Sequence, residues 1–143
     1  MDELTLNQLA NNFCEFSEKL GFSNPIIRSD TYISEIYVLN KHALQIEIDW
    51  RENELFMYVV YIRDNMLPNK NVIYNYDDGH WCRKFIEEIY KVKHPQVNKR
   101  QDRYSSEYLF NILQFYKKLI GDSPEILVDF LKGNTDADIV DNS

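Results

Sequence analysis

The chain carries little conformational punctuation, with four glycines and four prolines in 143 residues. Glycine supplies left-handed turns and proline breaks elements, so their scarcity argues against a loop-rich or repeat architecture. Cysteine is rarer still. Cys14 and Cys82 lie far apart, and neither has a neighbour at metal-ligand spacing. The pattern predicts two reduced thiols, with no disulfide framework and no zinc site. No apolar run approaches the ~18–20 residues that a membrane span needs. The opening MDELTLNQLANNF is acidic and polar, where an export leader would be basic and then apolar. A cytoplasmic protein that meets no membrane is therefore expected. Dinucleotide and Walker glycine loops, the GxSxG elbow and the HExxH helix are all missing, so no cofactor or metal is expected.

What is present describes a folded domain. Apolar residues make up 44% and charged residues 27% of the chain, a globular balance at a length that can bury its own core. The net charge of −7 is uneven. Residues 1–78 carry thirteen acids against six bases, whereas residues 79–133 carry ten bases against seven acids. Residues 134–143 add three aspartates and no base and read as a flexible acidic tail on a single domain spanning 1–133. Overall acidity disfavours nucleic acid, whose binding rests on neutralised phosphates, and suits a partner with a basic surface.

Residues 43–63, ALQIEIDWRENELFMYVVYIR, organise the rest. Leu44, Ile46, Ile48 and Trp50 alternate with Gln45, Glu47 and Asp49, the period of a strand with one buried face. After Arg51-Glu52-Asn53, eight apolar residues (55–62) follow, which predicts a central strand covered on both faces. Residues 31–39 form the strand before it. A three-residue loop at 40–42 aligns Tyr32, Ser34, Ile36 and Val38 with Trp50, Ile48, Ile46 and Leu44; a two-residue loop would bury Glu35 among them at high cost. Residues 72–76 offer a fourth strand, while residues 22–30, with Asn24-Pro25 and Arg28-Ser29-Asp30, read as a connector.

Helical spacing appears elsewhere. Leu6, Leu9, Ala10, Phe13, Phe16 and Leu20 form one stripe closed by Gly21. Residues 81–92 read as a second helix begun by Asp77-Asp78-Gly79. Ser105 caps a third, which carries Tyr108, Leu109, Ile112, Leu113, Tyr116 and Ile120. Ser123-Pro124-Glu125 starts a fourth, ended by Gly133. The expected fold is α+β: an N-terminal helix, an antiparallel meander of three to four strands, then three C-terminal helices packed on the sheet.

Three constellations could carry chemistry. Asp77, Asp78, His80 and Cys82 fall within six residues, so a hydrolase using the segment from Asp77 to Cys82 is conceivable. The simpler reading makes the aspartates helix caps, Gly79 a turn, and Trp81 and Cys82 packing residues. The second is the acidic strand face. Glu35, Glu47 and Asp49, with Tyr37 beside them and Glu52 and Glu54 by the turn, read as a solvated face or as a patch for a basic partner. The third, from Lys91 to Arg103, holds five bases against one aspartate and reads as a solvated linker or a contact site. Ten tyrosines add interface character, since Tyr suits places where one end is buried and the other wet. Tyr58, Tyr61, Tyr74, Tyr76, Tyr104 and Tyr116 are the anchor candidates.

Phe16, Leu20, Gly21 and Phe22 close the first helix, YVLNKHALQIEIDWRENELFMYVVYI follows as a meander, and helices come next. In this, residues 13–90 resemble small cytosolic immunity proteins of bacterial polymorphic toxin and contact-dependent inhibition systems. The resemblance is one of element pattern and carries over no individual residue. It implies a non-catalytic, cytoplasmic protein that occludes a cognate toxin domain, often a basic nuclease. The expected partner-binding residues are Glu35, Glu47, Asp49, Glu52, Glu54, Tyr37, Tyr58 and Tyr76. The alternative is a small regulatory or adaptor protein, of a kind that phages also carry, binding another protein.

Overall fold

A computed structural model describes residues 1–69, 72–95 and 104–133. The expected tail at 134–143 and most of the basic stretch, 96–103, lie outside the described residues. Helix α1 spans Glu3–Glu18. The Asp2 carboxylate caps it, accepting from the Leu4 N–H at 3.1 Å and the Thr5 hydroxyl at 2.6 Å, which satisfies an orphan donor of the first turn. Its far end closes as the stripe implied. Gly21 sits at φ +89°; its N–H donates to Glu18 O and the Phe22 N–H donates to Ser17 O, the paired bonds of a left-handed helix stop.

Among the described residues the sheet holds five antiparallel strands in chain order, one more than the longest meander expected: β1 Ser23–Ser29, β2 Ile33–Leu39, β3 Ala43–Asp49, β4 Glu54–Val60 and β5 Arg83–Phe85. The β2–β3 register pairs Val38 with Leu44, Ile36 with Ile46 and Ser34 with Ile48, the alignment a three-residue loop requires. Strand β4 is interior, though β3 is the middle strand. The turn between them is held by Asp49, whose Oδ1 accepts from the Arg51 and Glu52 N–H groups at 3.0 Å.

Two assignments change. The connector at 22–30 contains β1. Its register slips between Ser23 and Ile26, and that irregularity absorbs Asn24-Pro25. A proline without an N–H is tolerated on an edge strand or at a bulge, so turn chemistry concealed a strand. The fourth strand is not 72–76. Arg83 pairs with Val60 and Phe85 with Tyr58, which takes 83–85 out of the expected second helix. Helix α2 is only Ile86–Tyr90, and Asp77-Asp78-Gly79 starts no helix.

Helices α3, Ser106–Asp122, and α4, Pro124–Gly133, follow as expected, making four helices among the described residues. Ser105 holds the N-cap position of α3 without a side-chain bond. Helices α1 and α3 cover one face of the sheet. Leu9 and Phe13 of α1, Leu109, Ile112 and Tyr116 of α3, and Ile36, Ile46, Leu55 and Met57 of the strands form one continuous core. Lys117 Nζ donates to Asn12 Oδ1 at 2.7 Å and ties the two helices together. The opposite face carries a smaller cluster of Tyr37, Ala43, Tyr58 and Val60, with Phe85 and Leu67 against it.

Ile27, Ile36, Ile46 and Met57 form one row across the sheet beneath the helices. Ile46 is fully buried, while Ile27 at the edge is 48% exposed. Ile46→Ala is therefore expected to cost about 2–5 kcal/mol. Ile27→Ala, the same chemistry at the edge, should cost under about 0.5 kcal/mol. Urea unfolding followed by circular dichroism reads both.

Candidate functional site

The second face of the sheet is where polar chemistry concentrates. Alternation places Arg28, Glu35, Glu47 and Phe56 in one row, and Ile26, Tyr37, Gln45, Tyr58 and Phe85 in the next. Two carboxylates stand directly opposite each other, a repulsive cross-strand pair. The structure answers this with Arg83. Its Nε donates to Gln45 Oε1 at 2.8 Å. Nη1 donates to the carbonyls of Val72 at 2.5 Å and Ile73 at 3.0 Å. Nη2 donates to the Tyr37 hydroxyl at 2.7 Å and lies 3.5 Å from Glu35 Oε2. Tyr37 passes the bond on, donating to Glu35 Oε2 at 2.5 Å, and Gln45 Nε2 donates to the same oxygen at 3.0 Å. A buried ion pair persists only when its remaining donors are satisfied in this way.

Glu47 has no such counter-ion among the described residues. Burial pushes its pKa up, the Glu35 charge pushes the same way, and Arg83 offsets part of this. Beside it, burial and the Glu47 charge drive the Tyr58 hydroxyl far above its ordinary value. Above these residues lies a cavity of about 300 Å³. Glu35, Glu47, Tyr58 and Arg83 form its sheet side, and Val72, Ile73 and Tyr74 of the β4–β5 connection form its outer wall.

The residues expected to bind a partner separate into distinct roles. Glu35, Tyr37 and Tyr58 are buried, and Glu47 is half-buried at the cavity. Asp49 is half-buried one row beyond, and Glu52 is exposed at the turn. Glu54 belongs elsewhere. It is buried, takes the Tyr108 hydroxyl at 2.6 Å, and lies 3.0 Å from His94 Nε2. His94 Nδ1 is 3.0 Å from Glu87 Oε2 and 3.1 Å from the Tyr116 hydroxyl, with the ring stacked on Phe56 at 4.6 Å. This clamp joins β4 to α2 and α3. Burial alone would lower the His94 pKa, but the carboxylates of Glu87 and Glu54 outweigh it and raise it. Tyr76 is half-buried and donates to Tyr61 O at 2.5 Å, and burial pushes its pKa up to about 12.

The acidic face is thus neither plainly solvated nor a flat patch, because the β4–β5 connection folds over it. Tyr58, Tyr61 and Tyr116 are core residues, whereas Tyr74 and Tyr104 are exposed.

The segment from Asp77 to Cys82 makes a turn. Gly79 sits at φ +91° and its N–H donates to Tyr76 O. Asp78 holds Arg63 at 3.0 Å and accepts from the His80 N–H at 3.1 Å. The bonds to Arg63 and His80 keep its carboxyl far below the usual range. Cys82 is buried, donates its thiol to Ile73 O at 3.3 Å, and has its pKa raised by burial. Trp81 and Cys82 pack as the simpler reading had it; Asp78 caps a turn and not a helix. Both cysteines are free.

Arg83, Gln45, Arg28 and His94 were not singled out from sequence. Gln45 had a signal, since it alternates in phase with Glu47. Arg83 had none, because its position depends on which strand pairs with β4.

Arg83→Leu leaves Glu35 buried without its cation and should cost about 3–5 kcal/mol. Adding Glu35→Leu should restore part of that loss, and a double-mutant cycle from urea unfolding measures the coupling. His94 gives a pH signature. A raised histidine pKa stabilises the fold fully below about 6.5, the unfolded value, and the contribution disappears as pH rises through the folded value. The stability gap between wild type and His94→Gln should therefore be widest at pH 6 and narrow toward pH 9.

No protein-family model, curated protein or solved structure matches this chain.

Proposed function

We propose that this chain is a non-catalytic binding protein for a protein partner with a basic surface, and specifically a cytoplasmic immunity protein that neutralises a bacterial toxin domain by covering it. The observation that carries the reading is the cavity with three lining carboxylates on the face of the sheet opposite α1 and α3. Its outer wall presents exposed apolar residues, Ile73 and Tyr74, with Met66 nearby in the same connection. Apolar and aromatic groups around a desolvated polar centre are the anatomy of an interface hot spot. Asp49, one row beyond, and Glu52, at the turn, extend the negative field toward solvent, where it would speed the approach of a basic domain. The element pattern shared with small immunity proteins agrees with this.

The direct test is co-expression with the protein encoded immediately upstream of this gene. The neighbour should arrest growth when expressed alone and lose toxicity with this chain present. A neighbour that is harmless alone, or equally toxic in the pair, removes the immunity reading. Steering gives a second, kinetic expectation. The association rate should fall steeply as salt rises past physiological strength. Asp49→Asn with Glu52→Gln should lower it further, with little change in dissociation, as stopped-flow mixing would record.

A further inference from the structure

We propose that the cavity between Glu35, Glu47, Tyr58 and the 72–74 wall is a socket for one organic cation on an aliphatic stem, supplied by a lysine or arginine side chain of the partner. The inference rests on the partner reading above and names what the cavity takes.

Size is the first argument. At about 300 Å³ the cavity stands at the bottom of the range for small-molecule sites, enough for a single side chain. Charge is the second. Among the described residues lining it, three carboxylates, Asp30, Glu35 and Glu47, face two guanidiniums, Arg28 and Arg83. Arg83 has no donor to spare: all three of its nitrogens donate to Gln45, Tyr37 and the Val72 and Ile73 carbonyls, with Glu35 as its counter-ion. Arg28 donates Nη1 to Pro68 O at 2.9 Å and lies 5.3 Å from the Tyr37 ring centroid. Both guanidiniums are thus committed to these partners, and neither forms an ion pair with Glu47.

The state of Glu35 is a separate observation. The residue is 8% exposed and lines the cavity. Tyr37, Gln45 and Arg83 all converge on Oε2; Oε1 has no hydrogen-bond donor among the described residues. A carboxylate this deeply buried retains one acceptor for a donor arriving from the cavity.

The walls favour a stemmed cation over a bare ion. Ile33, Val72 and Ile73 offer apolar surface to methylenes, and the aromatic side chains of Tyr58 and Tyr74 line the same space. An anion would enter against Glu35 and Glu47, and a simple metal ion would gain nothing from the apolar wall.

The test uses the full chain. Butylguanidinium and butylammonium are titrated at low salt, with inorganic phosphate as the opposing probe, following amide shifts by NMR. Saturable shifts at Glu47, Tyr58, Ile73 and Tyr74 are expected with the cations. Glu47→Gln should weaken them about tenfold or more, equivalent to ~1.4 kcal/mol, while Glu18→Gln on the helix face should not. Ile73→Arg, a change at a residue 58% exposed, sets a rival cation at the mouth and should weaken binding even if Glu47→Gln perturbs folding. Circular dichroism confirms that each variant is folded.

Cation binding weakened by both variants supports the socket even if the co-expression test fails, which would overturn the toxin reading alone. No saturable shift, with toxin neutralised equally by wild type, Glu47→Gln and Ile73→Arg, overturns the socket and leaves that reading standing. Phosphate binding in preference to the cations overturns the charge assignment.

Discussion

One buried guanidinium holds the second face of this sheet together. Arg83 enters on a three-residue strand and bonds side chains of β2 and β3 and two carbonyls of the connection that brought it there. A strand that short contributes few ladder bonds, so its place beside β4 depends on what its side chains reach. Arginine suits the role because its planar fork offers five donors in fixed directions and keeps its charge when buried. Without it, Glu35 would sit opposite Glu47 and lose its ion-pair partner, and the connection at 72–74 would lose the bonds that Arg83 makes to its carbonyls.

The two faces of the sheet are stabilised by different physics. Under α1 and α3 the row of isoleucines and methionine gains from simple removal of apolar surface from water. On the other face, partial cover by the β4–β5 connection buries charged and hydroxyl groups, so stability depends on bonding geometry instead. That division leaves the second face with a cavity, since a network built to satisfy specific atoms does not fill space as aliphatic side chains do. The His94 clamp works by the same logic at the other end of β4, where Glu54, Glu87 and Tyr116 converge on one ring and Tyr108 donates to Glu54. It explains why Glu54, an acid beside a turn, is an internal group.

Much of the framework was legible in the chain. Helix α1 with its Gly21 stop, the β2–β3 register and the starts of α3 and α4 all follow from local rules whose reach is only a few residues. The elements misread were those where local chemistry and tertiary demand diverge. Asn24-Pro25 carries turn chemistry, yet β1 needs only the edge of a sheet, where a proline is harmless. Trp81 onward has helical spacing, yet its first residues are used to pair with β4. The apolar run at 72–76 looks like a strand and instead crosses the second face, with Ile73 and Tyr74 left exposed.

The sequence by itself determined which residues share a face. The period of two put Glu35, Tyr37, Glu47 and Asp49 on one side and their apolar neighbours on the other, because adjacent side chains of a strand must point oppositely. What it did not determine was whether that side met water. Exposure depends on where a connection of more than twenty residues lies, and on a cation brought from 48 positions away to Glu35. No periodicity records such a contact; its energy comes from desolvation and charge pairing that exist only once the chain has closed on itself. Only the tertiary structure turned an acidic strand face into a lined cavity.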